Sequence, residues 1–171
     1  MKKRTIQIII AAFLWILSFY IIYQFTSATG EESDSLSLAV AHRIENVVAD
    51  HFYVNHHDVF WEDTLNAIIR KCGHFVEFAF AGLSACIFFM LLIRKKWKSV
   101  LVSFGVCSFM ALLDEFRQQF VAGRSPRWFD VQIDITGAIF GILVVIIIYC
   151  IYLKIKNYKD RISELEKLSI K

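Results

Sequence analysis

Apolar residues gather in four long blocks along the chain, at 6–25, 75–93, 100–113 and 135–153. A helix needs about 20 mainly apolar residues to cross a bilayer, within a range of about 17–25. The first, second and fourth blocks reach that length unaided. The third is short and spans only if Asp114, Glu115 and Gln118 carry its helix on into the interface. Between the first two blocks, Leu36, Val40, Ile44, Val47 and Val48 recur at helical spacing, which is the pattern of an amphipathic helix on the membrane or on the bundle. Trp61, Leu65, Ile68 and Ile69 repeat it and lead directly into the second block. The pattern predicts an all-α fold, an integral membrane four-helix bundle with an extracellular amphipathic helical loop between helices 1 and 2. Its expected parts are helices over 6–25, 74–93, 99–119 and 131–153, an outer loop over 26–70 and a charged tail over 154–171, all in one membrane domain over 1–171.

Composition agrees with this pattern. Hydrophobic residues make up 57% of the 171 positions, above the roughly 45–50% of soluble domains, while charged residues still reach 20% and are therefore confined to the gaps. The net charge of +3 is small and no basic run is interleaved with aromatics, so nucleic acid is excluded as a partner. Cys72, Cys86, Cys107 and Cys150 form no CxxC pair, which speaks against both a disulfide framework and a zinc site.

The first block begins Lys2-Lys3-Arg4, as a signal peptide does. It is longer than a signal h-region and lacks a clear small-x-small cleavage site, so it reads as a retained helix. Cytoplasmic loops carry the excess of Lys and Arg. Here Lys2, Lys3, Arg4, Arg94, Lys95, Lys96, Lys98, Lys154, Lys156, Lys159, Arg161, Lys167 and Lys171 fall on one side. Only Arg43, Arg70, Lys71, Arg117, Arg124 and Arg127 fall on the other. The expected topology is multi-pass in the cytoplasmic membrane with both termini cytoplasmic. Trp61 and Trp128 would then lie near the outer interface, and Trp97, Tyr149 and Tyr152 near the inner one.

Three polar clusters flank the helices on the outer side. In the first, Arg70, His74 and Glu77 share one helix face beside Lys71, and His74 can reach Glu77 one turn on. Glu77 lies inside an apolar block, where a carboxylate must be paired, protonated or turned to a polar cavity. In the second, Asp114 shares a face with Gln118, and Glu115 with Gln119. The third runs from Gly123 and Pro126, which mark a turn, through Arg124, Arg127 and Asp130 to Asp134, Gly137 and Gly141. The last four acids and glycines form one stripe, and Gly137 and Gly141 make a GxxxG that lets helices approach closely, so the stripe is expected to face the bundle. The acids and bases of the three clusters are equal in number.

At these residues the chain resembles the VanZ-like family of small membrane proteins, named for a teicoplanin-resistance protein. The stretches FTSATGEESDSLS (25–37), RKCGHFVEF (70–78), DEFRQ (114–118) and GRSPRWFDVQIDITGAIFG (123–141) follow its pattern in order. Two positions depart from it: Thr26-Ser27-Ala28 stands where the family often reads Ser-Ser-Gln, and Arg117 where it often has His. The resemblance implies a link to lowered sensitivity to teicoplanin-type lipoglycopeptides, with the antibiotic itself as one possible partner. It defines no molecular activity, and no phosphate-cradling glycine loop or nucleophile elbow is present.

Three readings of the clusters stand side by side. They form a structural polar network without a ligand. Or they bind an anionic membrane lipid or lipid-linked cell-wall precursor, with Arg70, Lys71, Gln118, Arg124, Arg127, Asp130 and Asp134 at the site. Or they form an intramembrane hydrolase or transferase for a lipid-linked phosphate, with His74, Glu77, Asp114 and Glu115 as the catalytic groups. In that last reading Asp114, Glu115 and Asp130 are oxygen donors suited to a divalent ion, but no spacing in the sequence designates metal ligands. The run Asn55-His56-His57-Asp58 lacks the spacing of known sites. No cofactor is indicated.

Overall fold

A computed structural model of the chain describes residues 2–27, 30–49, 59–123 and 127–169. These residues form five helices and no strand: α1 (Lys2–Ser27), α2 (Gly30–Ala49), α3 (Val59–Leu92), α4 (Lys96–Gln118) and α5 (Trp128–Ser169). Four of them, α1, α3, α4 and α5, are long and apolar enough to cross a membrane. The protein is therefore a multi-pass membrane protein built as an all-α bundle, each helix satisfying its own backbone polar groups. The short third block attains spanning length by continuing through Asp114 and Glu115 to Gln118. Arg124, the His56–His57 pair, and the side chains of Val47, Val48 and Trp61 lie outside the described residues.

The distribution of side chains is that of a membrane bundle. Small and weakly polar residues fill the interior, among them Ala81, Ala85, Ala111, Ala138, Ser84, Ser99 and Ser103, while Ile9, Phe13, Ile16, Phe109 and Ile148 point outward. Lipid tails are as apolar as leucine, so large residues gain nothing by turning inward. Helices instead associate through close packing at small residues. The closest approach is between α3 and α5. A methyl group at Gly82 would strike the Ala138 backbone, one at Gly137 the Phe75 carbonyl, and one at Gly141 the Ala79 carbonyl. The predicted GxxxG thus faces the bundle, with Gly82 answering it from the opposite helix. Hydroxyl groups add cross-links: Ser99 Oγ donates to the Phe89 carbonyl at 3.1 Å, joining α4 to the end of α3.

Both ends of the bundle are identified by contacts. At one end the Arg4 guanidinium donates to the Leu91 carbonyl at 3.1 Å, and the Lys96 ammonium lies 6.0 Å from the Tyr149 ring. At the other, the Arg117 guanidinium donates to the Tyr23 carbonyl at 2.9 Å. The second end gathers the C-termini of α1 and α4, the first membrane turns of α3, and the start of α5.

Two elements show detail that spacing does not give. In α2 the buried positions are Ser37 and Ala41, whereas Leu36, Val40 and Ile44 are exposed. The helix contacts α3, and its buried side is the small-residue side rather than the large-residue stripe, because tight packing against another helix favours small side chains. Ser33 and Ser35 stand inside α2, which begins at Gly30. The charged tail is not a separate helix. It continues α5, whose 42 residues span about 63 Å at 1.5 Å per residue, and its described side chains are exposed.

Candidate functional site

The polar clusters converge at the end that holds Tyr23, His74, Arg117 and Asp134. Each helix delivers its residues by register. On α3, Arg70, His74 and Glu77 follow one face and all three are half-buried. On α4, Asp114, Glu115 and Gln118 are buried together at the last turn. On α5, Asp134 is fully buried and Asp130, one turn earlier, is half-buried. An apolar layer of Ile22, Phe78, Ala81, Ala111 and Val131 interleaves with these acids along the same helices, so the carboxylates are held against hydrocarbon rather than water.

Geometry joins these residues in a way that helix spacing does not reveal. His74 Nδ1 lies 3.6 Å from Asp134 Oδ1, across α3 and α5. The sequence pairs His74 with Glu77 on its own helix; the structure adds this partner from a segment 60 residues later. Gln118 Nε2 donates to Asp114 Oδ2 at 3.1 Å, as their shared face predicts, and the Arg117 guanidinium stands 3.9 Å from Asp114 Oδ1. The nitrogen of His74 and one oxygen each from Asp114 and Asp134 lie within 4.8 Å of one another. Neither oxygen of Asp134 accepts a hydrogen bond from the described residues.

The basic residues take different places. The Arg117 guanidinium sits 4.1 Å from the centre of the Tyr23 ring, while its NH2 group reaches the Tyr23 carbonyl. It therefore ties α4 to α1. Lys71 lies 4.6 Å from the centre of the Phe129 ring, tying α3 to α5. The Arg127 side chain is exposed at the entrance to α5, and its backbone N–H donates to Glu115 Oε1. Gly123, at φ 76°, makes the left-handed turn that releases the chain from α4, a conformation that glycine adopts without cost.

Beside the acids, a cleft of about 360 Å³ opens between α4 and α5. Leu112, Phe116, Trp128 and Val131 form its apolar walls, and Glu115, Gln119 and Arg127 supply its polar groups. The shared face of Glu115 and Gln119 predicted from the sequence is thus part of this cleft. Tyr23 and the fully buried Thr26 were not singled out as site residues. Their signal is position: they occupy the last turns of the first apolar block, level with the other clusters once the helices are laid antiparallel.

A family model described as VanZ/LLP1 matches residues 6–149. The chain belongs to the VanZ/LLP1 family. No curated protein and no solved structure matches it. In this VanZ/LLP1 member the matched region takes in all four membrane helices and every described residue of the polar site, and stops short of the charged extension of α5.

Proposed function

We propose that this VanZ/LLP1 protein binds an anionic outer-leaflet lipid or lipid-linked cell-wall precursor at the outer face of the cytoplasmic membrane. Both termini lie in the cytoplasm, and occupancy of the site lowers sensitivity to teicoplanin-type lipoglycopeptides. The cleft between α4 and α5 is the observation that carries this reading. Its walls suit an acyl chain or the apolar part of a lipid, and Arg127 stands at its polar mouth beside Gln119. Such an amphiphilic slot, with Arg127 and Glu115 beside apolar walls, is similar in form to the basic head-group pockets found between membrane helices. The direction of the chain rests on the positive-inside bias.

The test is native mass spectrometry of the protein in nanodiscs containing phosphatidylglycerol and phosphatidylethanolamine. The anionic lipid is expected to be retained preferentially, with Arg127→Ala reducing retention severalfold and raised salt imitating the variant in part. Equal retention of both lipids by both proteins would overturn the reading.

The contact between His74 and Asp134 favours a second reading, an intramembrane hydrolase or transferase acting on a lipid-linked phosphate. A carboxylate beside an imidazole orients it for proton transfer. His74→Gln separates the two. Under binding, the variant keeps most of the resistance phenotype. Under catalysis, it folds and retains lipid but confers no resistance, because glutamine carries no proton that can move at neutral pH.

A further inference from the structure

Asp134 is fully buried, and neither of its oxygens accepts a hydrogen bond from the described residues. An ionised carboxylate in that position is costly unless a cation faces it, and otherwise the acid stays protonated. Asp114, Glu115, Asp130 and Glu77 all add like charge around it, which deepens the need. His74 and Asp114, brought by two other helices, place a nitrogen and an oxygen within 4.8 Å of an Asp134 oxygen. We propose that His74, Asp114 and Asp134 form a site for one divalent metal ion of the zinc or manganese class, clamping α3, α4 and α5 together at this end of the bundle.

Distance, charge and ligand type each support the assignment. Two donors about 2.1 Å from a tetrahedral ion are about 3.4 Å apart, and His74 Nδ1 and Asp134 Oδ1 already stand at 3.6 Å. Two carboxylates and a neutral imidazole cancel the charge of a divalent ion, leaving a neutral unit suited to an apolar layer. One nitrogen and two oxygens favour zinc or manganese over magnesium and calcium, which take oxygen ligands. The hydrogen bond from Gln118 to Asp114 is the kind of outer contact that orients a ligating carboxylate. Three protein donors leave a coordination position for water or a phosphate oxygen. The inference does not rest on the lipid reading, since it concerns the metal alone.

The full chain, purified in detergent and treated with chelator, is titrated with zinc and with manganese and its metal content measured by mass spectrometry. One equivalent per chain is expected for at least one of the two ions, with a rise in melting temperature. Asp134→Asn and His74→Gln are expected to lower the retained metal at least tenfold. Asp160→Asn in the exposed tail and the double change His56→Gln with His57→Gln are expected to retain it. Absence of stoichiometric binding by the wild-type chain overturns the proposal. So does full retention by a folded Asp134→Asn or His74→Gln, or loss of metal from the His56/His57 variant alone. If both site variants fail to fold, cobalt titration of the wild-type chain decides. A visible cobalt absorption band that zinc displaces supports the site, and absence of any such band refutes it.

Discussion

Arg117 stands where the family often carries histidine, and its contacts in this chain are structural. Its guanidinium lies over the Tyr23 ring at 4.1 Å, donates to the Tyr23 carbonyl and approaches Asp114 at 3.9 Å. A single side chain thus closes α1 onto α4, two helices that otherwise share few contacts. Arg117→Ala is expected to destabilise the folded bundle by about 0.5–2 kcal/mol, the range of a cation–π contact. Arg117→Lys should recover only part of that, because lysine lacks the planar face that stacks on an aromatic ring. Thermal unfolding in detergent measures both. Equal stability of all three proteins would mean that the contact contributes nothing.

At the scale of helices, the glycines divide into two kinds that a sequence does not distinguish. Gly137 and Gly141 leave no room for a methyl group between α5 and α3, whereas Gly105 on α4 has nothing within 4 Å of the same position. Gly141→Ala should force the helices apart and cost about 1–3 kcal/mol, as overpacking does. Gly105→Ala should be neutral or stabilising by about 0.5–1 kcal/mol, through helix propensity alone. Paired unfolding measurements give the comparison, and a Gly141→Ala protein as stable as Gly105→Ala would contradict the packing. The GxxxG spacing was legible along the chain because it depends on one helix only. The role of Gly82 was not, since its partner Ala138 lies on another helix. The same limit applies at the site. Asp114 with Gln118, and Glu115 with Gln119, are pairs within a helix and follow from spacing. His74 with Asp134, and Arg117 with Tyr23, are pairs between helices and depend on rotation and depth, which periodicity does not encode. The packing face of α2 was not legible for a related reason. An apolar stripe identifies a helix face, but in lipid the large residues need not be the ones that pack.

For the whole molecule the open question is direction across the membrane. The end with the carboxylates is defined by contacts, and the proposed topology, which follows the charge bias, puts it outside. In a cysteine-free chain, Ala122→Cys should react with an impermeant thiol reagent in intact cells, and Lys95→Cys should react only after the cells are opened. The reverse result would turn the bundle over and put the cleft at the cytoplasmic face. The lengths of the elements make the two ends unlike in another respect. The polar site closes within a turn or two of the membrane helices, whereas α5 runs on past Leu153 to Ser169 as exposed helix.

The burial of Asp134 also bears on how the protein is made. An aspartate at the centre of an inserting helix costs about 2.5–3.5 kcal/mol, and less towards its end. The helix that carries Asp134 follows the other three spans in the sequence and has the highest mean hydropathy of the four, at 2.7. Its long apolar run drives insertion despite the acid. The helices α3 and α4, which carry His74 and Asp114, precede it in the chain. The contact between His74 and Asp134 forms only once α5 is present. The fully buried acid thus lies on a helix that follows, in the chain, the two helices carrying its neighbours His74 and Asp114, so those neighbours are synthesised before it.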